Sequence, residues 1–159
     1  MNYDSTTTLA TIRAASPCRQ GWEKLLKNLN KTQADDEPLS LLTVLDSNGL
    51  DDALWVLSYA MPDDRLARHF QAWCADQVLH LFEDKRPDDM RVRKQIAMLR
   101  NDSADGVARD AARDAARAVA RSTARVAAWV AARDAACGAT WVVARDAQER
   151  KLRDMLVVK

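Results

Sequence analysis

The sequence predicts an all-α protein: a single-domain helical bundle, or stack of helical hairpins, closed by a long Ala-rich C-terminal helical hairpin. Three observations predict it. Apolar residues recur at helical rather than alternating spacing through the first two thirds of the chain. Only four glycines interrupt the 159 residues. From Ala108 the sequence locks into a four-residue Ala/Arg/Asp repeat, and 17 of residues 107–159 are alanine, the best helix former. A chain of this length can bury a core without disulfide or metal staples.

Ser16-Pro17 predicts an N-cap with proline in the first helical position, followed over 17–30 by one apolar face of Trp22, Leu25, Leu26 and Leu29. Lys31–Glu37 is polar and predicts a loop. Pro38 is expected to open a short helix carrying Leu39, Leu42 and Leu45, stopped by Asn48-Gly49. Asp51 is expected to cap the next helix, burying Leu54, Trp55 and Leu57 before Met61-Pro62 ends it. Leu66, Phe70, Trp73, Gln77 and Leu81 then keep a helical rhythm to about Glu83, and Pro87-Asp88 starts another over 88–100 with Met90, Val92, Ile96 and Leu99.

The repeat places Arg109, Arg113, Arg117, Arg121, Arg125, Trp129, Arg133, Cys137, Trp141 and Arg145 in one row. Four residues overshoot a helical turn by about 40°, so this row spirals around the helix instead of holding one face. Either the segment supercoils right-handedly or it breaks. Cys137-Gly138 is the expected break, giving helices over 104–136 and 139–157, packed antiparallel. Asp110 with Arg113 and Asp114 with Arg117 form i,i+3 pairs that solvate the helix. Arg121 and Arg125 lack a nearby downstream acid, which leaves an Arg117–Arg125 arc that could meet an acidic partner. No aromatic interleaves with these arginines where a base could stack, so nucleic acid is not the expected partner.

Charge is divided along the chain. Residues 1–60 carry 5 Lys/Arg against 8 Asp/Glu, a net of −3; residues 61–106 carry 8 against 9, a net of −1; residues 107–159 carry 11 against 6, a net of +5. An acidic front and basic back can attract each other or face different partners.

Several function classes find no support. No apolar run approaches the ~18 residues of a membrane span, and the polar N-terminus does not read as a signal peptide. Three widely spaced cysteines without CxxC predict a reduced, cytoplasmic protein with core thiols. Glycine-rich phosphate cradles are absent. His69 and His80 flank Cys74 at spacings of five and six, which puts them on different helix faces, so neither a metal nor a cofactor is expected. Asp46–Asp51 resembles a calcium loop only superficially: its glycine is fourth rather than sixth, and Leu57 stands where the twelfth-position glutamate would be. Asp35-Asp36, Asp51-Asp52, Asp63-Asp64 and Asp88-Asp89 are each expected to precede or start a helix, complementing its dipole, so none is assigned catalysis.

Two stretches, Cys18-Arg-Gln-Gly-Trp-Glu-Lys-Leu-Leu26 and Lys31-Thr-Gln-Ala-Asp-Asp-Glu-Pro-Leu39, run on to Leu45-Asp-Ser-Asn-Gly-Leu-Asp-Asp-Ala-Leu-Trp55. Together they resemble the opening of a family of small Ala/Trp-rich bacterial and phage proteins grouped as immunity proteins, akin to the immunity partners of polymorphic toxins. Residues 108–148 are similar to that family's Ala-rich tail studded with Trp, Arg and Asp, although with more arginine and fewer tryptophans. The resemblance implies an all-α fold and a non-enzymatic role, binding a toxin and blocking it.

The partner-facing residues expected from these readings are Asp35, Asp36 and Glu37 in the loop, Asp46, Asn48, Asp51 and Asp52 at the corner, and Arg117, Arg121 and Arg125 in the repeat. The expected partner is a protein, either a toxin or a defence-system effector; a phage anti-defence protein such as an anti-CRISPR blocking a Cas effector fits the same residues. A different class, an enzyme or helical ligand-binding domain, would gather Trp22, Trp55, Trp73 and the carboxylate pairs around a pocket. The Ala-faced helix also permits pairing between chains as a homodimer.

Overall fold

The computed structural model describes residues 3–84, 87–103 and 139–157. They form an all-α fold of eight helices with one small two-stranded ribbon. The chain divides into two compact units, Met1–Ala67 with Lys151–Lys159, and Arg68–Arg150. No helix among the described residues is long and apolar enough to cross a membrane.

The first unit opens with a strand the sequence did not announce. β1 (Thr6–Thr8) pairs antiparallel with β2 (Pro38–Ser40), Thr7 opposite Leu39. Three residues are too few for an alternating pattern to be read, but Thr7 and Leu39 are both buried. The Thr7 hydroxyl donates to the Ala60 carbonyl at 2.5 Å, tying the ribbon to the end of a helix 53 residues away. Thr8 then caps α1 (Leu9–Ala14), which buries Leu9 and Ile12.

Pro38 therefore does not open a helix. It stands in β2, and Ser40 caps α3 (Leu41–Asn48) by accepting from the Thr43 amide at 3.1 Å. Ser16 is likewise not a cap: it adopts a left-handed conformation (φ 61°), and the Cys18 sulfur caps α2 (Arg19–Asn28) by accepting from the Gly21 amide at 3.3 Å. Cys18 is consequently exposed, where a core thiol was expected. Cys74 is partly buried, and burial pushes its thiol up to about 12.

Asn48-Gly49 stops α3 as expected. Gly49 (φ 92°) both ends α3 and starts α4 (Leu50–Tyr59), a left-handed position that suits glycine. The N-cap of α4 is thus Gly49 rather than Asp51, and Asp51 and Asp52 lie in its first turn near the positive dipole end. The buried side of α4 consists of Leu50, Ala53, Val56 and Leu57, continued by Ala60. Leu54 and Trp55, expected in the core, are only half-buried. Alanines at 53 and 60 carry the inward stripe that the leucine pattern had assigned elsewhere.

α5 (Arg65–Gln77) begins where Asp63 accepts from the Arg65 amide at 2.9 Å. Leu66 and Ala67, with Leu152 and Met155 near the end of α8 (Ala139–Val157), are buried residues of the first unit.

In the second unit the helical rhythm after Pro62 is interrupted at Val78, which separates α5 from the short α6 (Leu79–Glu83). α7 (Arg91–Leu99) starts later than expected, Asp89 accepting from the Arg91 amide at 3.2 Å. Ala72, Leu79, Ile96 and Leu99 form one buried cluster with Ala75 and Val92 packed against it. The helix expected over 104–136 and its break at Cys137-Gly138 lie outside the described residues, whereas the final helix matches 139–157.

Candidate partner-binding surface

The loop and corner named from sequence sit in the first unit, and the structure gives their charges different environments. The Lys31 ammonium donates to Asp35 Oδ2 at 2.5 Å and to Glu37 Oε2 at 2.7 Å. Asp35 Oδ1 also accepts from the Glu37 amide at 3.3 Å, and the Asp35 carbonyl accepts from the Ala10 amide at 2.9 Å. The hydrogen bond from Lys31 holds the Asp35 carboxyl below its ordinary value, and the bonds to Asp35 and then Glu37 hold Lys31 above its own. Asp35 and Glu37 therefore staple their own loop. Asp36 is exposed and takes no part in this cluster. Asp35-Asp36 leads into β2 rather than a helix, so its carboxylates do not serve a helix dipole.

The corner is drawn inward as well. Asn48 Nδ2 donates to the Gly21 carbonyl at 2.9 Å and to Asp52 Oδ2 at 2.7 Å, while the Ser47 hydroxyl meets Asn48 Oδ1 at 2.5 Å. From α2, Lys24 donates to the Asn48 carbonyl at 3.0 Å and Asn28 to the Ser47 carbonyl at 2.9 Å. These bonds satisfy carbonyls that the end of α3 leaves open. α2 approaches so closely that a Cβ on Gly21 would lie 2.9 Å from Asp52 Oδ2. Asp46 pairs with Arg153 of α8. Asn48 and Asp52 thus lock the α2–α3–α4 corner, Asp46 ties α3 to α8, and Asp51 is exposed in the first turn of α4. Arg117, Arg121 and Arg125 lie outside the described residues.

What the sequence reading missed stands beside Asp51. Asp51, Trp55 and Tyr59 follow one another at four-residue spacing along α4, each step turning about 40°. The Trp55 and Tyr59 rings lie 5.5 Å apart, tilted by 38°, and Tyr59 is 61% exposed. The signal was available: an aromatic at i and i+4 on the side opposite Leu50, Ala53, Val56 and Leu57. The three tryptophans suggested as a pocket take different neighbours instead. Trp22 lies under the Arg13 guanidinium, Trp55 meets Tyr59, and Trp73 stacks on Phe70.

No group of three or more His, Cys, Asp or Glu among the described residues is placed to hold a metal ion. His80 is exposed; His69 is buried, its Nε2 3.1 Å from Asp102 Oδ1. Arg68 shares that carboxylate at 3.2 Å and donates to the Leu99 carbonyl at 2.9 Å, closing the end of α7. Compared with known families, curated proteins and solved structures, the chain matches none.

Proposed function

We propose that the chain is a non-enzymatic inhibitor, immunity-protein-like, that binds a protein partner stoichiometrically in the cytoplasm and blocks it. The partner class is a toxin or a defence-system effector. The observation that carries this reading is the outer face of α4, where exposed Tyr59 and half-buried Trp55 follow an acidic first turn. Tryptophan and tyrosine supply large contact area at little entropic cost and dominate binding hot spots.

The corner beneath this face favours binding rather than flexing. Gly49 joins α3 to α4 through a single residue, and the Asn48–Gly21–Asp52 bonds fix the start of α4 against α2. A face held in place before contact avoids part of the ordering cost of association. Residues 1–60, with a net charge of −3, add long-range attraction for a basic partner and speed encounter.

The test is affinity capture with the full chain as bait from its host, followed by mass spectrometry and an activity assay of the captured protein. One protein retained at 1:1 stoichiometry, with its activity lost on titration, is the expected result. Saturable turnover of a small substrate by the purified chain, with no protein neutralised, would replace this reading with an enzymatic one.

A further inference from the structure

We infer that the outer face of α8 is a two-fold contact on which a second copy of this chain packs, the two helices antiparallel and crossing at Arg150. This contact is additional to the partner-binding face of α4 and is tested with the chain alone.

The first ground is a palindrome. Along α8, Val143, Asp146, Arg150, Asp154 and Val157 stand three, four, four and three residues apart, the same order from either end. At about 100° per residue the five fall within an arc of about 80°, on the side opposite buried Leu152. They belong to one continuous helix, so the helix itself puts them on one face. All five are exposed, both valines at 60%. A two-fold contact requires a surface that complements itself. Pairing two such faces sets Val143 against Val157 of the second copy at both ends. Each Arg150 then stands one turn from Asp146 and one turn from Asp154 of the other chain, and its planar fork of donors suits a carboxylate on either side. Antiparallel order also opposes the two helix dipoles.

The second ground is how α8 uses its charges. Arg145, Glu149, Lys151 and Arg153 are engaged within the chain, Arg153 with Asp46. The other three charged residues of the helix are Asp146, Arg150 and Asp154. They make no side-chain hydrogen bond or ion pair among the described residues, although Arg150 lies one turn from each aspartate. The unengaged charges are thus the ones that alternate in sign on the exposed face. Alternating charge alone would keep that face in water, but the valines at both ends add apolar area that a contact buries. The contact runs only about 21 Å along the helix, short of what a permanent dimer needs, so it exchanges with monomer at micromolar concentration.

Sedimentation equilibrium of the full chain, from micromolar to near-millimolar concentration, should show reversible monomer–dimer exchange that salt weakens. Arg150→Asp changes the contact in both copies at once and should weaken the dimer about tenfold or more, whereas Arg150→Lys should keep part of it. Ala144→Lys, exposed on another side of α8, should leave it unchanged. Positions 144 and 150 are exposed, so unaltered circular dichroism should accompany all three variants. Under mild oxidation Arg150→Cys should link to itself across the two-fold axis. Asp146→Cys should link to Asp154→Cys in a mixture but not to itself, with peptide mass mapping separating these bonds from any made by native cysteines. A chain that stays monomeric at every concentration overturns the proposal, as does a dimer indifferent to Arg150→Asp. Asp146→Cys linking chiefly to itself would make the helices parallel and overturn the arrangement.

Discussion

Lys31 and Arg68 each gather several groups, but Lys31 does so among near neighbours at the surface and Arg68 among residues distant in sequence inside a helical unit. Lys31 joins Asp35 and Glu37 in a loop where all three side chains keep solvent contact. Arg68 is nearly enclosed, its side chain 6% exposed, and holds Asp102 and the carbonyls of Leu99 and Asn101. The difference teaches where charge acts as structure. A buried guanidinium left without acceptors, or acceptors left without it, carries the full cost of desolvation; an exposed ammonium hands its partners back to water.

The largest effect should therefore come from Arg68. Arg68→Ala removes the donor that closes α7 and strands the Leu99 carbonyl, and should cost about 2–4 kcal/mol in chemical denaturation. Arg68→Lys should recover only part of this, because one ammonium cannot reproduce a planar fork. A loss under about 1 kcal/mol for Arg68→Ala would erase the distinction between the two sites.

Asn48 lies between these extremes, half-buried with both Nδ2 bonds used. Asn48→Ala should cost about 1–2 kcal/mol. A double-mutant cycle with Asp52→Ala should show coupling, since the two share a 2.7 Å hydrogen bond. Strict additivity would mean that Gly21, not Asp52, is the partner that matters. The same corner bears on function: if Asn48 only positions α4, its loss should weaken partner binding less than Tyr59→Ala does once both proteins are fully folded.

The thiols extend the contrast to a charge that must be created. Cys18 is exposed, whereas burial pushes Cys74 up to about 12. Alkylation at pH 8 followed by peptide mass mapping should label Cys18 far ahead of Cys74, because the thiolate is the nucleophile. Comparable rates in the folded protein would place Cys74 in a much wetter environment. Its raised value also has a stability sign: the neutral thiol is favoured by folding, so that contribution is complete below the unfolded value near 9 and fades as pH rises toward 12.

These sites also mark how far the sequence could be read. The helical class, the α3–α4 junction at Asn48-Gly49 and the final helix followed from local rules, because glycine at a left-handed position and alanine-rich segments act without help from distant residues. The ribbon did not, since Thr7 is fixed by Leu39 and by Ala60, far along the chain. Pro38 and Ser16 matched helix-start grammar, yet Ser40 and Cys18 hold the caps, and only the bonds to Thr43 and Gly21 distinguish them. For the candidate surface, the sequence drew attention to the corner's carboxylates and not to the aromatic pair beside them. Asp46, Asn48 and Asp52 looked available only because Arg153 and Gly21, which engage them, are remote. Trp55 was assigned to the core because an apolar stripe does not declare its own edge; small Ala53 and Ala60 took the inward side.

The smallest effect, and the sharpest test of the surface half of the comparison, is the pH dependence of the Lys31 cluster. Folding lowers Asp35 from its ordinary 3.8, so its contribution is present above that pH and is lost as pH falls through the lowered value. Folding raises Lys31 above 10.5, so its contribution is complete below that pH and is lost as pH rises through the raised value. Between these limits the difference in melting temperature between the native chain and Lys31→Met should be small and flat. It should shrink at both ends, and shrink everywhere in high salt, as exposed pairs are screened. A difference that persists unchanged at the acid end would mean that Lys31 stabilises the loop through its alkyl stem rather than through Asp35. The loop would then owe its shape to packing, and Asp35 would be free to face a partner alongside Asp36.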